Sequence, residues 1–309
     1  MEMKMKTVVA ILGITLLVNL MSGCGDATME PTNDSYEQKI VIEGYLHAGQ
    51  PIDRIYVSRN FPVDADLTKM SVLPDPDVTV VQITDLDSDK EYQLEYNAAE
   101  DEDWNNYYWT YKDSDVIVEY GKSYKIDVST VIDGKDLHAS SVTTVPQKGF
   151  EIISINYNRL KYREKDSNEN LINFEIEINR SNGSTFYTAA IEALNPTLES
   201  FIYDNPYEEK KPEDVDLHDD AFTYSVIHHA PEIEGRSFKT LGWEVFNFYD
   251  QYRIILYAAD DNYKDYLITH NNVMEMNGNF HEPKFNFEGD GIGVFASIIT
   301  DTVYVEVTN

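Results

Sequence analysis

This 309-residue chain reads as mainly β, arranged as two β-sandwich domains of which the second carries one α-helix. Short segments of alternating apolar and polar residues, rich in Val, Ile, Tyr and Phe, recur through most of its length, as strands with one buried face require. Asp, Asn, Gly and Ser punctuate them, and Asp133–Gly134 is the strongest of these signals, because both residues tolerate the positive φ of a two-residue hairpin turn. One stretch alone carries a pronounced helical period. Many short strands with turns between them form the pattern of a sandwich.

The first strand is expected at Ile40–Leu46 (IVIEGYL), then Arg54–Val57, Asp77–Thr84 (DVTVVQIT) and Lys90–Tyr96 (KEYQLEY), with Asp85–Asp89 turning between the last two. Tyr124–Val131 and Leu137–Val145 flank the Asp133–Gly134 turn and complete a first domain over residues 39–147. Val145-Pro146-Gln147-Lys148-Gly149 interrupts the pattern with breakers, which places the domain boundary there. In residues 148–309 strand-like runs fall at Phe150–Tyr157, Leu171–Ile178, Thr185–Leu194, Phe222–His228, Trp243–Phe248, Tyr252–Tyr257 and Gly293–Val307. The helix is expected near 260–275: Asp260 or Asp261 can cap it, and Tyr263, Tyr266, Leu267 and His270 follow at i, i+3, i+4 and i+7 to make one face for packing.

Ahead of these elements, residues 1–23 read as a lipoprotein signal peptide. Lys4 and Lys6 give a basic start, Thr7–Leu20 an apolar run, and Ser22-Gly23 put small residues before Cys24, the cysteine that would carry the lipid. The apolar run is short for a bilayer span, which needs about 18 to 20 residues. Residues 24–38 are polar, contain Pro31 and read as a tether. These residues therefore predict attachment to a membrane through a lipid on Cys24.

Composition excludes several classes of function. The chain has 24 Lys plus Arg against 55 Asp plus Glu, a formal charge of −31. Such a surface repels phosphate backbones, so no nucleic-acid partner is expected. Cys24 is the single cysteine, and once it is acylated no thiol remains for a disulfide, a nucleophile or a metal. The fold must therefore hold by its core, for which 22 Tyr and 13 Phe supply volume.

The opening strand Ile40–Leu46, the Asp133–Gly134 hairpin ending at Val145-Pro146, the segment Asn262-Tyr263-Lys264-Asp265-Tyr266-Leu267 and the closing Gly289-Asp290-Gly291-Ile292-Gly293-Val294-Phe295-Ala296 together resemble the Bacteroidota-type outer-membrane lipoproteins gathered as domain of unknown function 4249. The closing segment is the most specific, with Ile292 standing where the family usually has Leu. The resemblance spans almost the whole chain after Cys24. It implies immunoglobulin-like β architecture and a cell-envelope lipoprotein, lipid-anchored in the outer membrane on the periplasmic face or the cell surface, of the kind often found beside TonB-dependent receptors. It implies no catalytic residue.

Candidate chemistry is sparse. Asp85-x-Asp87-x-Asp89 alternates carboxylates on a turn, but Lys90 stands where a calcium loop needs Gly and Tyr96 where it needs Glu, which favours a solvated hairpin turn. Asp214, Asp216, His218, Asp219 and Asp220, with His228-His229 downstream, mix oxygen and imidazole donors; successive strand residues face opposite ways, so a loop is the expected reading. Gly289-x-Gly291-x-Gly293 is a turn into the last strand, without the helix a dinucleotide loop requires. No Gly-x-Ser-x-Gly occurs and no histidine has an assignable partner, so no catalytic residue, metal or cofactor is expected.

Glu100–Asp103 followed by Trp104, Tyr107, Tyr108, Trp109 and Tyr111 places carboxylates beside aromatic rings, a combination that stacks sugars or anchors a protein partner. These five aromatics are the candidate ligand-binding residues. The expected function is a non-enzymatic, lipid-anchored accessory or ligand-presenting partner of a TonB-dependent outer-membrane transporter. A glycan- or peptide-binding surface receptor and a carboxylate-dependent hydrolase are the alternatives.

Overall fold

In β1 (Ile40–His47) the residues Ile40, Ile42, Gly44 and Leu46 are buried while Glu43 is exposed, so the period of two in the sequence becomes one face against a core and one face out. This is a computed structural model describing residues 36–62, 65, 72–98, 107–184, 186–229, 235–270 and 283–309, of which 225–229 by backbone alone. The signal peptide, Cys24, most of the expected tether, Glu100–Asp103, Trp104 and residues 271–275 lie outside the described residues. All the strands belong to one unit comprising residues 38–60 and 66–309.

After β1 come β2 (Tyr56–Arg59), β3 (Val80–Asp85), β4 (Lys90–Gln93), β5 (Glu95–Asn97), β6 (Tyr108–Thr110), β7 (Ser123–Ile132) and β8 (Lys135–Thr144). Asp133 and Gly134 join β7 to β8 with φ of 52° and 80°, the two positive values that a type I′ turn demands. Arg59 grips the carboxylate of Asp133 with two hydrogen bonds, at 3.1 Å and 2.5 Å, and so ties β2 to that hairpin.

The second half contributes β9 (Glu151–Ile155), β10 (Arg159–Lys161), β11 (Phe174–Asn179), β12 (Phe186–Ala193), β13 (Phe222–His229), β14 (Arg236–Leu241) and β15 (Gln251–Ala259), then α1 (Asp261–His270), β16 (Glu288–Gly289) and β17 (Gly291–Thr308). The expected strand at Trp243–Phe248 is instead a short 3₁₀ turn, Trp243–Val245. Its rings converge on one buried point, with Trp243 and Phe246 both packed against Phe174, and an extended strand would send neighbouring residues to opposite faces.

The largest sheet runs β13-β12-β15-β17-β1-β2, with β10 also beside β17. Its spine is β17, whose 18 residues span roughly 60 Å at the strand rise. Residues Gly291–Ile298 pair in parallel with β1, and Ile298–Glu306 pair antiparallel with β15. Three smaller sheets accompany it, β16-β8-β7-β3-β4, β14-β11-β9 and the pair β5-β6. Ile40, Ile42, Val57 and Phe295 share one core with Val81, Ile83, Ile126 and Val128. Ile191, Ile254, Leu256 and Val305 share another with Phe174, Ile176, Leu241 and Trp243. Sheet-on-sheet packing of this kind removes the apolar faces from water. Residues 145–149, where the sequence suggests a boundary, lie between β8 and β9.

The glycines of the closing segment have a steric reason. A Cβ on Gly293, at φ 113°, would sit 2.1 Å from the Ile42 carbonyl oxygen, and one on Gly289, at φ 81°, would sit 2.3 Å from that of His138. They let β16 and β17 approach β8 and β1 at backbone distance.

Candidate functional site

β1, β2 and the start of β6 meet around a cleft of about 380 Å³, lined by Glu43, Tyr56, Val57, Ser58, Val72, Leu73 and Tyr107. That volume lies in the range of small-ligand sites. The position of each lining residue follows from strand alternation: Ile42 points into the core, so Glu43 points away from it, and β2 sets Tyr56 directly opposite Glu43 in register. Tyr107 arrives from the residue before β6 and leans towards Tyr96, ring centroids 6.5 Å apart.

Among the described residues, Glu43 is the charged residue that lines this cleft. Its negative charge reaches several rings. Burial is the main cause, and the Glu43 carboxylate adds to it, in holding the Tyr45 hydroxyl far above the ordinary tyrosine range. The same two causes, in the same order, raise Tyr266 on α1. Tyr56 is raised by burial, an effect that Arg54 partly offsets and Glu43 reinforces. All three tyrosines therefore stay neutral at ordinary pH and offer ring faces and hydroxyls around one carboxylate.

Of the five aromatics expected to bind ligand, Tyr107 lines the cleft. Tyr108 borders it, meeting Tyr56 edge to face at 6.2 Å and carrying the Arg54 guanidinium 5.7 Å from its ring centre. Trp109 is 4% exposed and belongs to the core, packed on Tyr96 at 5.2 Å. Tyr111 packs edge to face on Tyr92 at 5.2 Å, on the partly buried margin of the same core. Trp104 lies outside the described residues. Period-two alternation is the reason for the division: Trp109 sits between Tyr108 and Thr110 and turns the opposite way. Glu43 and Tyr56 were missed in the sequence, although the exposed-facing position of Glu43 within an otherwise apolar strand was a visible signal.

The two acidic motifs prove to be turn devices. Asp85 is 2% exposed, not solvated as expected; its carboxylate accepts hydrogen bonds from the backbone of Asp87 at 3.0 Å and Ser88 at 3.3 Å and from Lys122 Nζ at 3.0 Å. Burial pushes the Asp85 carboxyl up, but these hydrogen bonds outweigh it and leave it below the usual carboxylate range. In the second motif Asp216 accepts from the backbone of His218 at 2.9 Å and Asp219 at 3.1 Å, and Asp220 pairs with Lys210. The side chains of His228 and His229 lie outside the described residues. Among the described residues no three His, Asp or Glu side chains come together as a metal site.

A buried polar network joins β8, β17 and α1. The helix begins at Asp261, with Asp260 as its cap: Asp260 Oδ1 accepts from the Tyr263 N–H at 3.0 Å and Oδ2 accepts from Thr143 at 2.5 Å. Thr143 and Ser297 hydroxyls lie 2.7 Å apart, and Asn262 donates to the carbonyls of Val142 at 2.7 Å and Phe295 at 2.9 Å. Burial pushes the Asp260 carboxyl up to about 6 despite these donors. Tyr263 and Leu267 pack on Phe186, Ala259 and Ile298 as the helical period implies, joined by Ile268, whereas Tyr266 and His270 stack on each other, ring centres 4.9 Å apart.

Two further cavities have different chemistry. One of about 370 Å³ is lined by Asn158, Arg159, Gln251, Tyr304 and Glu306, and its Arg159 and Glu306 pair at 3.3 Å. Another of about 360 Å³ contains Lys125, Ser140, Phe285 and Glu288. In both, a cation and a carboxylate are present together. Among its described lining residues, the Glu43 cleft has a carboxylate and no cation.

The comparison with curated proteins found no match. Among solved structures, one from work on host cell surface retention of a 1.5-MDa bacterial ice-binding adhesin is similar at 10% identity and a TM-score of 0.21, covering 88% of this chain and 65% of that one. The chain thus spans slightly under two thirds of that structure's length. A likeness at this score supports no functional argument. The family model described as Domain of unknown function (DUF4249) matches residues 27–297. The hairpin, the helix start and the Gly289–Ala296 crossing described above all lie within that match, and the chain belongs to this family.

Proposed function

We propose that this chain is a lipid-anchored protein of the outer membrane that works by binding and not by catalysis, presenting a ligand or gripping a partner segment beside a TonB-dependent transporter. The observation that carries the binding reading is the Glu43–Tyr56–Tyr107 cleft, a concavity whose described lining joins aliphatic and aromatic side chains with one carboxylate. The address rests on the lipoprotein signal ending at Cys24 and on the transport setting that the family resemblance implies. Carboxylate chemistry of the hydrolase kind needs two facing acids, and the described lining residues of the cleft supply one. No helix among the described residues is long and apolar enough to cross a membrane; the anchor in this reading is the lipid on Cys24, called for by the small residues that precede it.

The test is affinity purification of the full-length, lipidated chain from detergent-solubilised envelopes. An outer-membrane transporter should co-purify with the wild type and be depleted with Tyr56→Ala/Tyr107→Ala; recovery of the chain without any membrane protein would sink the transporter reading. Cys24→Ala should release the protein from the membrane fraction. A glycan receptor is the second reading, favoured by the same tyrosine rings. Calorimetry against a glycan panel separates it, since heat with glycans and none with peptides would put it first.

A further inference from the structure

A second site lies on the outer face of the large sheet, at the end of β17 away from the Glu43 cleft. β17 alternates there: Val303, Val305 and Val307 pack into the core, so Tyr304 and Glu306 point out. Register then sets Arg159 of β10, Glu306 of β17 and Gln251 of β15 side by side, with Tyr304 opposite Arg253 one step along. Together with Asn158, the outward residues Arg159, Gln251, Tyr304 and Glu306 line the cavity of about 370 Å³. Glu43 pairs with Val294, ten residues before Tyr304, which separates the two sites by roughly 30 Å along the strand.

Apart from Val305 the described lining is polar, so the cavity suits a ligand that makes hydrogen bonds. Arg159 and Glu306 pair at 3.3 Å; their charges offset each other, and neither a cation nor an anion is favoured there. The pair still presents donors and acceptors next to one another. Asn158 and Gln251 add amides that make no side-chain hydrogen bond among the described residues. Tyr304 is 60% exposed, which leaves its ring as an apolar surface amid these groups. A neutral sugar meets each feature: hydroxyls for the amides and the ion pair, a C–H face for the ring, and no net charge.

Register continues this surface beyond the cavity. In the row that crosses β17, β15, β12 and β13, Tyr304 is followed by Arg253, Glu192 and Phe222. Arg253 Nε donates to Glu192 at 2.7 Å, and Phe222 is 40% exposed. The row thus has a ring at each end and a neutralised ion pair between them, over roughly 14 Å at the usual strand spacing. One sugar would fill the cavity and leave this row unused, whereas a chain of linked sugars covers both. A protein partner fits less well, because protein interfaces are built on an apolar centre depleted of charge, and the centre here is an ion pair.

We infer that the outer sheet face around Tyr304, Gln251 and the Arg159–Glu306 pair binds a neutral oligosaccharide. This site is separate from the Glu43 cleft and does not rest on the reading given for it. The experiment is calorimetric titration of the full chain with neutral hexasaccharides of glucose, mannose, xylose and N-acetylglucosamine, at low and at high salt. At least one should bind, with an affinity that salt leaves unchanged because the sugar carries no charge. Tyr304→Ala should weaken it about tenfold or more, and Glu306→Gln about threefold or more, both with an unchanged thermal midpoint. Tyr120→Ala, which removes an exposed ring between β6 and β7, should behave as wild type.

No heat with any of these hexasaccharides, equal binding by wild type and Tyr304→Ala, equal loss from Tyr304→Ala and Tyr120→Ala, or an affinity that falls with salt would overturn the inference. If Tyr56→Ala/Tyr107→Ala loses the heat while Tyr304→Ala keeps it, the glycan belongs to the Glu43 cleft and this inference fails alone. If Tyr304→Ala depletes a co-purified transporter and no hexasaccharide binds, the face is a protein interface and the saccharide assignment is overturned.

Discussion

The two halves of β17 are held by different means. Gly291–Ile298 lies parallel to β1, where Gly293 brings the backbones together and the Thr143–Ser297–Asp260 network fastens the strand to β8 and α1. Ile299–Val307 lies beside β15 and is held by volume, with Ile299, Val305 and Val307 packed into a core built on Trp243, Phe246, Phe174 and Tyr252. A pairing between the first strand and the last closes a very long loop, and here it is made with close backbone contact and directed hydrogen bonds. The antiparallel half joins closer neighbours and relies on non-directional burial.

The largest effect should come from breaking the first half. Gly293→Val places a branched side chain at φ 113° against the Ile42 carbonyl, costing about 4 kcal/mol or more. The purified variant should lack a cooperative thermal transition. A well-folded variant would show that close approach is not what holds β1 to β17. As a control, Gly134 has a positive φ but nothing within 4 Å, so Gly134→Ala should cost only about 1 kcal/mol in urea denaturation.

Trp243→Ala attacks the second half. The indole is 2% exposed and its Nε1 donates to the Ile172 carbonyl at 3.0 Å, so the loss should be about 4 kcal/mol. Benzene or another small apolar solute soaked into the cavity should recover part of it. A loss below about 1 kcal/mol would move the weight of this half onto the strands themselves.

The polar network should reveal itself through pH. The folded protein holds the Asp260 proton more tightly, at about 6, than an unfolded chain would. That contribution is fully present below about pH 4 and is lost as pH rises through about 6, a swing of order 2 to 3 kcal/mol. Asp260→Asn should flatten the urea midpoint across this window, and an unchanged slope would assign the dependence elsewhere. Asp85 acts in the opposite sense: its lowered carboxyl contributes above the ordinary range, and the contribution is lost as pH falls through the folded value. Asp85→Asn should cost about 2 kcal/mol at neutral pH.

The smallest effect is reserved for the outer sheet that faces the second half. Arg236 and Glu177 pair at 3.0 Å between β14 and β11, with Arg236 66% exposed, and Arg236→Ala should change stability by no more than about 0.5 kcal/mol. A larger loss would mean that β14 depends on charge and not on the core behind it.

How much of this was legible in advance depended on locality. β1, β3, β7, β8 and β15 were readable because each carries its own alternation, and the β7–β8 turn because Asp133–Gly134 supplies its φ values without help. Asp260 could be picked as a cap from its place ahead of a helical period. β14 was missed because Arg236–Leu241 mixes Lys239 and a 66% exposed Phe238 with few apolar positions. The 3₁₀ turn at Trp243 reads as a strand in the sequence because its aromatic composition suits both.

By itself, then, the order of residues determined the class of fold, the hairpins, the helix start, the acidity and the family, since all of these depend on neighbours a few positions apart. Tertiary structure decided which strands meet and what their outward residues build. Glu43 and Tyr56 stand opposite each other only because β1 pairs with β2, and Trp109 left the expected ligand-binding set because the core behind β6 needed its volume. Register and burial join residues far apart in sequence, and no local pattern encodes such a meeting.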